Sequence, residues 1–147
     1  MKDQIKQLRE VTGAGMLDCK RMLDNTNGDM NQAIALLHEK MGKKVLAKQH
    51  RETQEGIVVS YIHSNQKMGA MVAVKCETDF VAKNKLFGAF AHDVALHISA
   101  MNPETVDELL TQTFVKDGDM TIGEKVNQLM AKMGENIVIG HFQRFSI

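Results

Sequence analysis

The sequence predicts an α+β protein: three short N-terminal helices, then a core in which a three-stranded antiparallel sheet packs on helices. Two observations carry this. Apolar residues in the first forty positions recur every three or four residues, in runs punctuated by Gly and Asn-Gly, which is the helical period. From Gly56 the period shortens to two, lengthens again beyond Asp79, and shortens once more after Asn136. A hairpin, a helical stretch and a late third strand therefore follow one another.

Ile5, Leu8 and Val11 define the first helix, which Gly13-Ala14-Gly15 ends. Met16, Cys19, Met22 and Leu23 define a second, stopped by Asn27-Gly28. A third starts at Asp29, placed to cap while Gln32 reaches back in a capping box, and runs through Ala33, Ile34, Leu37 and Met41. Together they form a domain over residues 1–41. Met16 and Leu17 are more apolar than an exposed turn requires, and adjacent helical residues point about 100° apart. One of the two is expected to close the small core and the other to face out. Residues 42–55 read as a linker: the overlapping run 40–51 holds Lys40, Lys43, Lys44, Lys48 and Arg51 and no acid, which suits a solvated helical connection. An RNA-facing patch is the weaker alternative, since no aromatic is interleaved for base stacking.

The core domain is expected over 56–147. Ile57–His63 forms a strand, Ser64–Lys67 the turn, and Ala70, Val72, Val74 and Cys76 alternate along the return strand. The period changes at Thr78, an effective N-cap, with Asp79 next to it at the positive end of a helix dipole. That helix is expected to run through Phe87, Phe90, Val94, Ile98 and Met101. Phe80 lies seven residues before Phe87, a spacing that favours the buried stripe and leaves an exposed tip as the alternative. Asn102-Pro103 breaks the run before a short helix with Val106, Leu109 and Leu110. Thr121 and Glu124 form a capping box for a helix through Ile122, Val126, Leu129 and Met133, ended by Gly134. In the last strand, alternation groups Ile137, Ile139, His141, Gln143, Phe145 and Ile147 on one side and Val138, Gly140, Phe142 and Arg144 on the other.

Composition narrows the function classes. With 147 residues, 44% apolar and 24% charged, and a single Pro, the chain is globular rather than disordered. Formal net charge is zero, which argues against a dedicated partner of bulk nucleic acid. The zero hides an asymmetry: residues 1–51 hold ten basic and six acidic side chains, the remainder eight and twelve. Cys19 and Cys76 form no CxxC, and Cys76 lies among acids that raise a thiol pKa. Six histidines include no HExxH, and Gly13-Ala14-Gly15 follows a helix and lacks GxxxxGK. No catalytic residue, metal site, cofactor or direct nucleotide binding is expected. The chain opens on an amphipathic helix with no signal peptide and holds no long apolar run, so a cytoplasmic protein is expected.

Thr78-Asp79-Phe80-Val81-Ala82-Lys83-Asn84 resembles the TDFVAKN signature of the elongation factor Ts family, the nucleotide exchange factors of the translational GTPase EF-Tu. Leu8-Arg9-Glu10 with Thr12–Met16 and Asp18-Cys19-Lys20 is similar to the family's LRE..TGAGMMDCK, and Gly134-Glu135-Asn136-Ile137 to its GENI. The three motifs stand in the family's order along almost the whole chain. The resemblance implies a ubiquitin-associated (UBA)-like first domain and exchange-active contacts to EF-Tu through Thr78, Asp79, Phe80 and Val81. In it Phe80 wedges into the GTPase's nucleotide domain and Asp79 intrudes near its magnesium site. It also implies a second contact through Gly15, Met16 and Leu17. Gly140-His141 stands where the family usually has an arginine pair. Long members carry two core copies; this chain has one, and short members pair as homodimers, so a homodimer is expected. The alternatives are a UBA-like protein-binding module without exchange activity, and an RNA- or ribosome-associated protein acting through residues 40–51.

Overall fold

In a computed structural model, residues Met1–Ile147 are all described and fall into two compact units, Met1–His50 with Asn127–Gly134, and Arg51–Val126 with Glu135–Ile147. No helix is long and apolar enough to cross a membrane.

The first unit is built on α1 (Lys2–Thr12), α2 (Met16–Asn25) and α3 (Met30–Lys48). Leu8, Ala14, Cys19, Leu23, Ala33 and Leu37 make its core, with Ile5, Met22, Met30, Ile34 and Met41 packed around them. Gly13 ends α1 in the left-handed region, φ 70°, its N–H donating to the Arg9 carbonyl. Asp29 caps α3 by accepting from the Gln32 N–H at 3.1 Å, but its own N–H goes to the Thr26 carbonyl. Only half of the expected box forms.

The third helix does not end near Met41. It continues through Lys48, because Val45 is buried at 3% exposure and extends the apolar stripe by one more turn. The first seven positions of the 42–55 stretch are thus helix continuous with α3. Three lysines of the 40–51 run face a partner: Asp18 on α2 binds Lys40 at 2.6 Å and Lys44 at 3.4 Å, and Lys43 stands 3.2 Å from Glu39. The Lys40 hydrogen bond chiefly holds the Asp18 carboxyl below the ordinary carboxylate range. Part of the basic run is therefore already neutralised inside the unit.

In the second unit, β1 (Glu55–Ile62), β2 (Met68–Cys76) and β3 (Val138–Ser146) form an antiparallel sheet in the order β1-β2-β3. Four helices follow β2 along the chain: α4 (Asp79–Ala82), α5 (Lys85–Met101), α6 (Val106–Thr111) and α7 (Ile122–Met133), of which α7 belongs to the first unit from Asn127 onward. Thr121 and Glu124 cap α7 reciprocally, as the sequence predicts. Phe87, Phe90, Val94 and Ile98 of α5 bury with Ala70, Val72, Val74 and Cys76 of β2. This α+β core matches the predicted class.

The last strand departs from strict alternation. Val72 pairs with Phe142 and Val74 with Ile139, so Gly140 and His141 together oppose Ala73. Such a bulge shifts the alternation by one residue. Ile139, expected beside His141, is buried at 5% exposure, while His141 is exposed. Arg144 is brought where its Nε donates to the Ser99 carbonyl at 2.8 Å.

His97 ties the segment after α6 to α5. Its Nδ1 accepts from the Val115 N–H at 3.1 Å, which places the proton on Nε2, and Nε2 donates to Gln112 Oε1 at 2.9 Å. Burial pushes its pKa below the ordinary histidine value. The folded state thus favours the neutral ring, and its contribution is complete above the unfolded pKa of about 6.5 and lost as pH falls below it. The thermal midpoint of the protein should fall more between pH 7.5 and 5.5 than that of His97→Gln; equal slopes would remove His97 as the cause.

Candidate functional site

Where β2 gives way to helix, two distant dipeptides hold each other. Glu135 Oε1 accepts from the N–H groups of Glu77 and Thr78, both at 3.0 Å, and Oε2 accepts from the Thr78 hydroxyl at 2.5 Å. In return, Glu77 Oε2 accepts from the Asn136 N–H at 2.6 Å and stands 3.7 Å from the Arg51 guanidinium. The Asn136 side-chain amide donates to the Arg51 carbonyl at 2.8 Å. Hydrogen bonds with an ionised partner are about twice as strong as neutral ones, so this exchange fixes the backbone at Glu77-Thr78 firmly. It also corrects the expected cap. Thr78 occupies the N-cap position of α4, but its hydroxyl makes no cap bond, since it points to Glu135.

The expected single helix from Asp79 to Met101 is two. After one turn, Asn84 adopts an extended backbone, φ −70° and ψ 135°, and its side chain caps a new helix by accepting from the Leu86 N–H at 2.8 Å. Asn competes for backbone groups in this way, which ends one helix and starts another. The break overturns the spacing argument for Phe80, which requires one continuous helix to reach Phe87. Phe80 is 86% exposed, whereas Phe87 is fully buried. Val81, by contrast, is buried at 7% exposure and anchors the turn from beneath. Asp79 is exposed, its carboxylate 3.3 Å from Lys83 Nζ. Thr78 is exposed as well, so three of the four positions Thr78–Val81 lie on the surface. Cys76, just before them, is fully buried with its thiol donating to the Thr78 carbonyl, and burial first, with the Glu135 carboxylate second, pushes its pKa up.

In the first unit, Gly15 caps α2 in extended conformation, and both Met16 and Leu17 are exposed, at 59% and 72%. The expectation that one of them closes the small core fails. Ala14 and Cys19 fill that role, because the Thr12 hydroxyl accepts from the Ala14 N–H at 3.2 Å and turns this residue inward. Two exposed clusters result, Thr78-Asp79-Phe80 in the second unit and Gly15-Met16-Leu17 in the first.

Sequence reasoning missed Glu77, Arg51, Glu135 and Asn136. Gly134–Ile137 stood out as a motif, yet no periodicity links positions more than fifty residues apart. Truncation separates the exposed ring from its buried neighbour: Val81→Ala should cost roughly 2 kcal/mol, while Phe80→Ala should stay within about 0.5 kcal/mol. Urea denaturation checks both, and a large loss for Phe80→Ala would return that ring to the core.

A family profile described as "Elongation factor TS" matches residues 77–147, and one described as "UBA-like domain" matches residues 1–44. Elongation factor Ts of Clostridium perfringens is 46% identical over 143 residues, covering 97% of this chain and 46% of the relative. That of Solidesulfovibrio magneticus is 38% identical over 188 positions, covering 97% of this chain and 94% of the relative, and that of Desulfotalea psychrophila is 39% identical over 189, covering 97% and 95%. This chain therefore spans just under half the length of the Clostridium protein and aligns with nearly all of the two shorter ones.

Proposed function

We propose, for a chain that belongs to the elongation factor Ts family, that it is a translation elongation factor acting as a guanine-nucleotide exchange factor for EF-Tu. The observation that carries this reading is Phe80: a phenyl ring 86% exposed beside an exposed carboxylate, on a single helical turn fastened to the sheet. An aromatic ring left in water costs burial energy that only a partner recovers, roughly 2–3 kcal/mol if it is fully covered. Phe80 inserts between side chains of the GTPase's nucleotide domain. Asp79 then approaches a Mg²⁺ that normally keeps several waters and the nucleotide phosphates. Thr78 and Val81 set the turn from either side, Val81 from within the core.

Exposed Met16 and Leu17, with Gly15 leaving room above them, make a second apolar contact. Coupling is reciprocal: a factor that weakens GDP binding is itself weakened by GDP to the same extent. A transient ternary complex forms, GDP leaves, and GTP binds in its place. The protein alters no covalent bond, works in the cytoplasm, and needs no cofactor of its own. Because Lys40 and Lys44 are engaged by Asp18, the basic stretch gives little support to an RNA-binding role.

The outward side of the sheet carries Val58, Ile62, Met71 and Phe145, each at least half exposed. A second copy of this chain covers that side, forming a homodimer through the two sheets; a self-complementary apolar patch suits a two-fold pair.

Release of fluorescent GDP from EF-Tu tests the exchange reading. Phe80→Ala should slow stimulated release about 10-fold or more, the equivalent of losing part of that burial, and Asp79→Asn should slow it while partner affinity persists. Release that is unstimulated by the intact chain would refute the function. Met71→Glu at the centre of the outer sheet should halve the mass measured by light scattering, and an unchanged mass would place the pair elsewhere.

A further inference from the structure

We propose that Glu135 is a positioning residue for exchange, holding the Asp79-Phe80 turn in the attitude that reaches the GTPase. This rests on the exchange reading of that turn.

Phe80 is 86% exposed, so almost none of its placement comes from its own contacts. It inherits its direction from the backbone on either side. On the far side, Val81 is buried and pins the turn from below. On the near side, Glu135 is the fastening: all three of its hydrogen bonds land on Glu77 and Thr78, two on consecutive backbone N–H groups and one on the Thr78 hydroxyl. Two N–H groups converging on one carboxylate oxygen fix the peptide between them in orientation as well as position. Phe80 follows two residues later.

The alternative is that Glu135 merely stabilises the fold. Asn136 and Arg51 already tie the same strand entry to Glu77, so the connection survives without Glu135, and what Glu135 adds is the setting of Thr78. The helix holds Thr78 through its carbonyl, which accepts from the Ala82 N–H at 3.2 Å, but the hydroxyl makes no cap bond in α4 and goes to Glu135 instead. A residue acting only by orienting Phe80 has a signature that a stabilising residue lacks: its effect disappears when the ring is gone.

The experiment is a double-mutant cycle read by GDP release from EF-Tu at saturating factor. Glu135→Ala should slow release about 10-fold, in keeping with loss of charge-assisted hydrogen bonds, while the concentration giving half-maximal stimulation changes much less. In the Phe80→Ala background the same substitution should cost under about twofold. Glu135→Gln, which keeps one carbonyl oxygen for the two N–H groups, should restore the rate to within about threefold of the original. Should Glu135→Ala unfold the protein, Thr78→Val enters the same cycle, removing only the hydroxyl. An equal loss in both backgrounds, or no loss with the ring present, overturns the inference and leaves the exchange reading standing. If Phe80→Ala alone leaves release unchanged, the reading of the turn fails first, and the inference with it.

Discussion

The second unit is organised by one constraint: β2 and α5 bury their apolar sides in the same core, yet only Glu77–Asn84 connects them. Val72, Val74 and Cys76 on the strand and Phe87, Phe90, Val94 and Ile98 on the helix are all nearly inaccessible. A chain that leaves the strand at Cys76 and returns as a buried helix from Lys85 must reverse within eight residues. A single helical turn does this, and a single turn has only one side facing the core. Val81 takes that side. The residues around it, Asp79 and Phe80, are left outside by geometry rather than by any preference of their own.

A reversal so short carries few hydrogen bonds of its own, and the structure supplies them from elsewhere. Glu135 and Asn136 enter from the start of β3 and trade bonds with Glu77 and Thr78. The entry to the strand that completes the sheet thereby fixes the connection at the C-terminal end of β2, where Val138 pairs with Lys75. Farther along β3, Gly140 and His141 open a bulge that turns Ile139, Phe142 and Arg144 to the α5 side. Their neighbours Gln143 and Phe145 face outward with Met71. One irregularity therefore defines both the inner packing and the outer patch.

The three-helix unit reaches a similar end by other means. Its core is small, so Ala14 and Cys19 suffice to close it, and the larger Met16 and Leu17 are left in water. Thr12 is the pivot, its hydroxyl donating to the Leu8 carbonyl at 2.6 Å while accepting from Ala14. Asp18, in the first turn of α2, pairs with Lys40 and Lys44 on α3, and buried Val45 carries the apolar stripe of that helix one turn further.

By itself the sequence determined the order and type of the elements, the buried stripes of α5 and of the small helical core, and the motifs that mark the two exposed clusters. These are local properties: a period of two or of 3.6, a cap, a glycine, each acting within a few residues. Only the tertiary structure decided that Phe80 faces water, that Thr78 gives its hydroxyl to Glu135 instead of to its own helix, that neither Met16 nor Leu17 is core, and that β3 slips its alternation at Gly140. Three of these depend on a helix break, a bulge or a partner more than fifty residues away, and the exposure of Met16 and Leu17 on the Thr12–Ala14 hydrogen bond that turns Ala14 into the small core. Periodicity reads a side chain's direction only while the element stays regular, and the exposed residues lie where regularity ends.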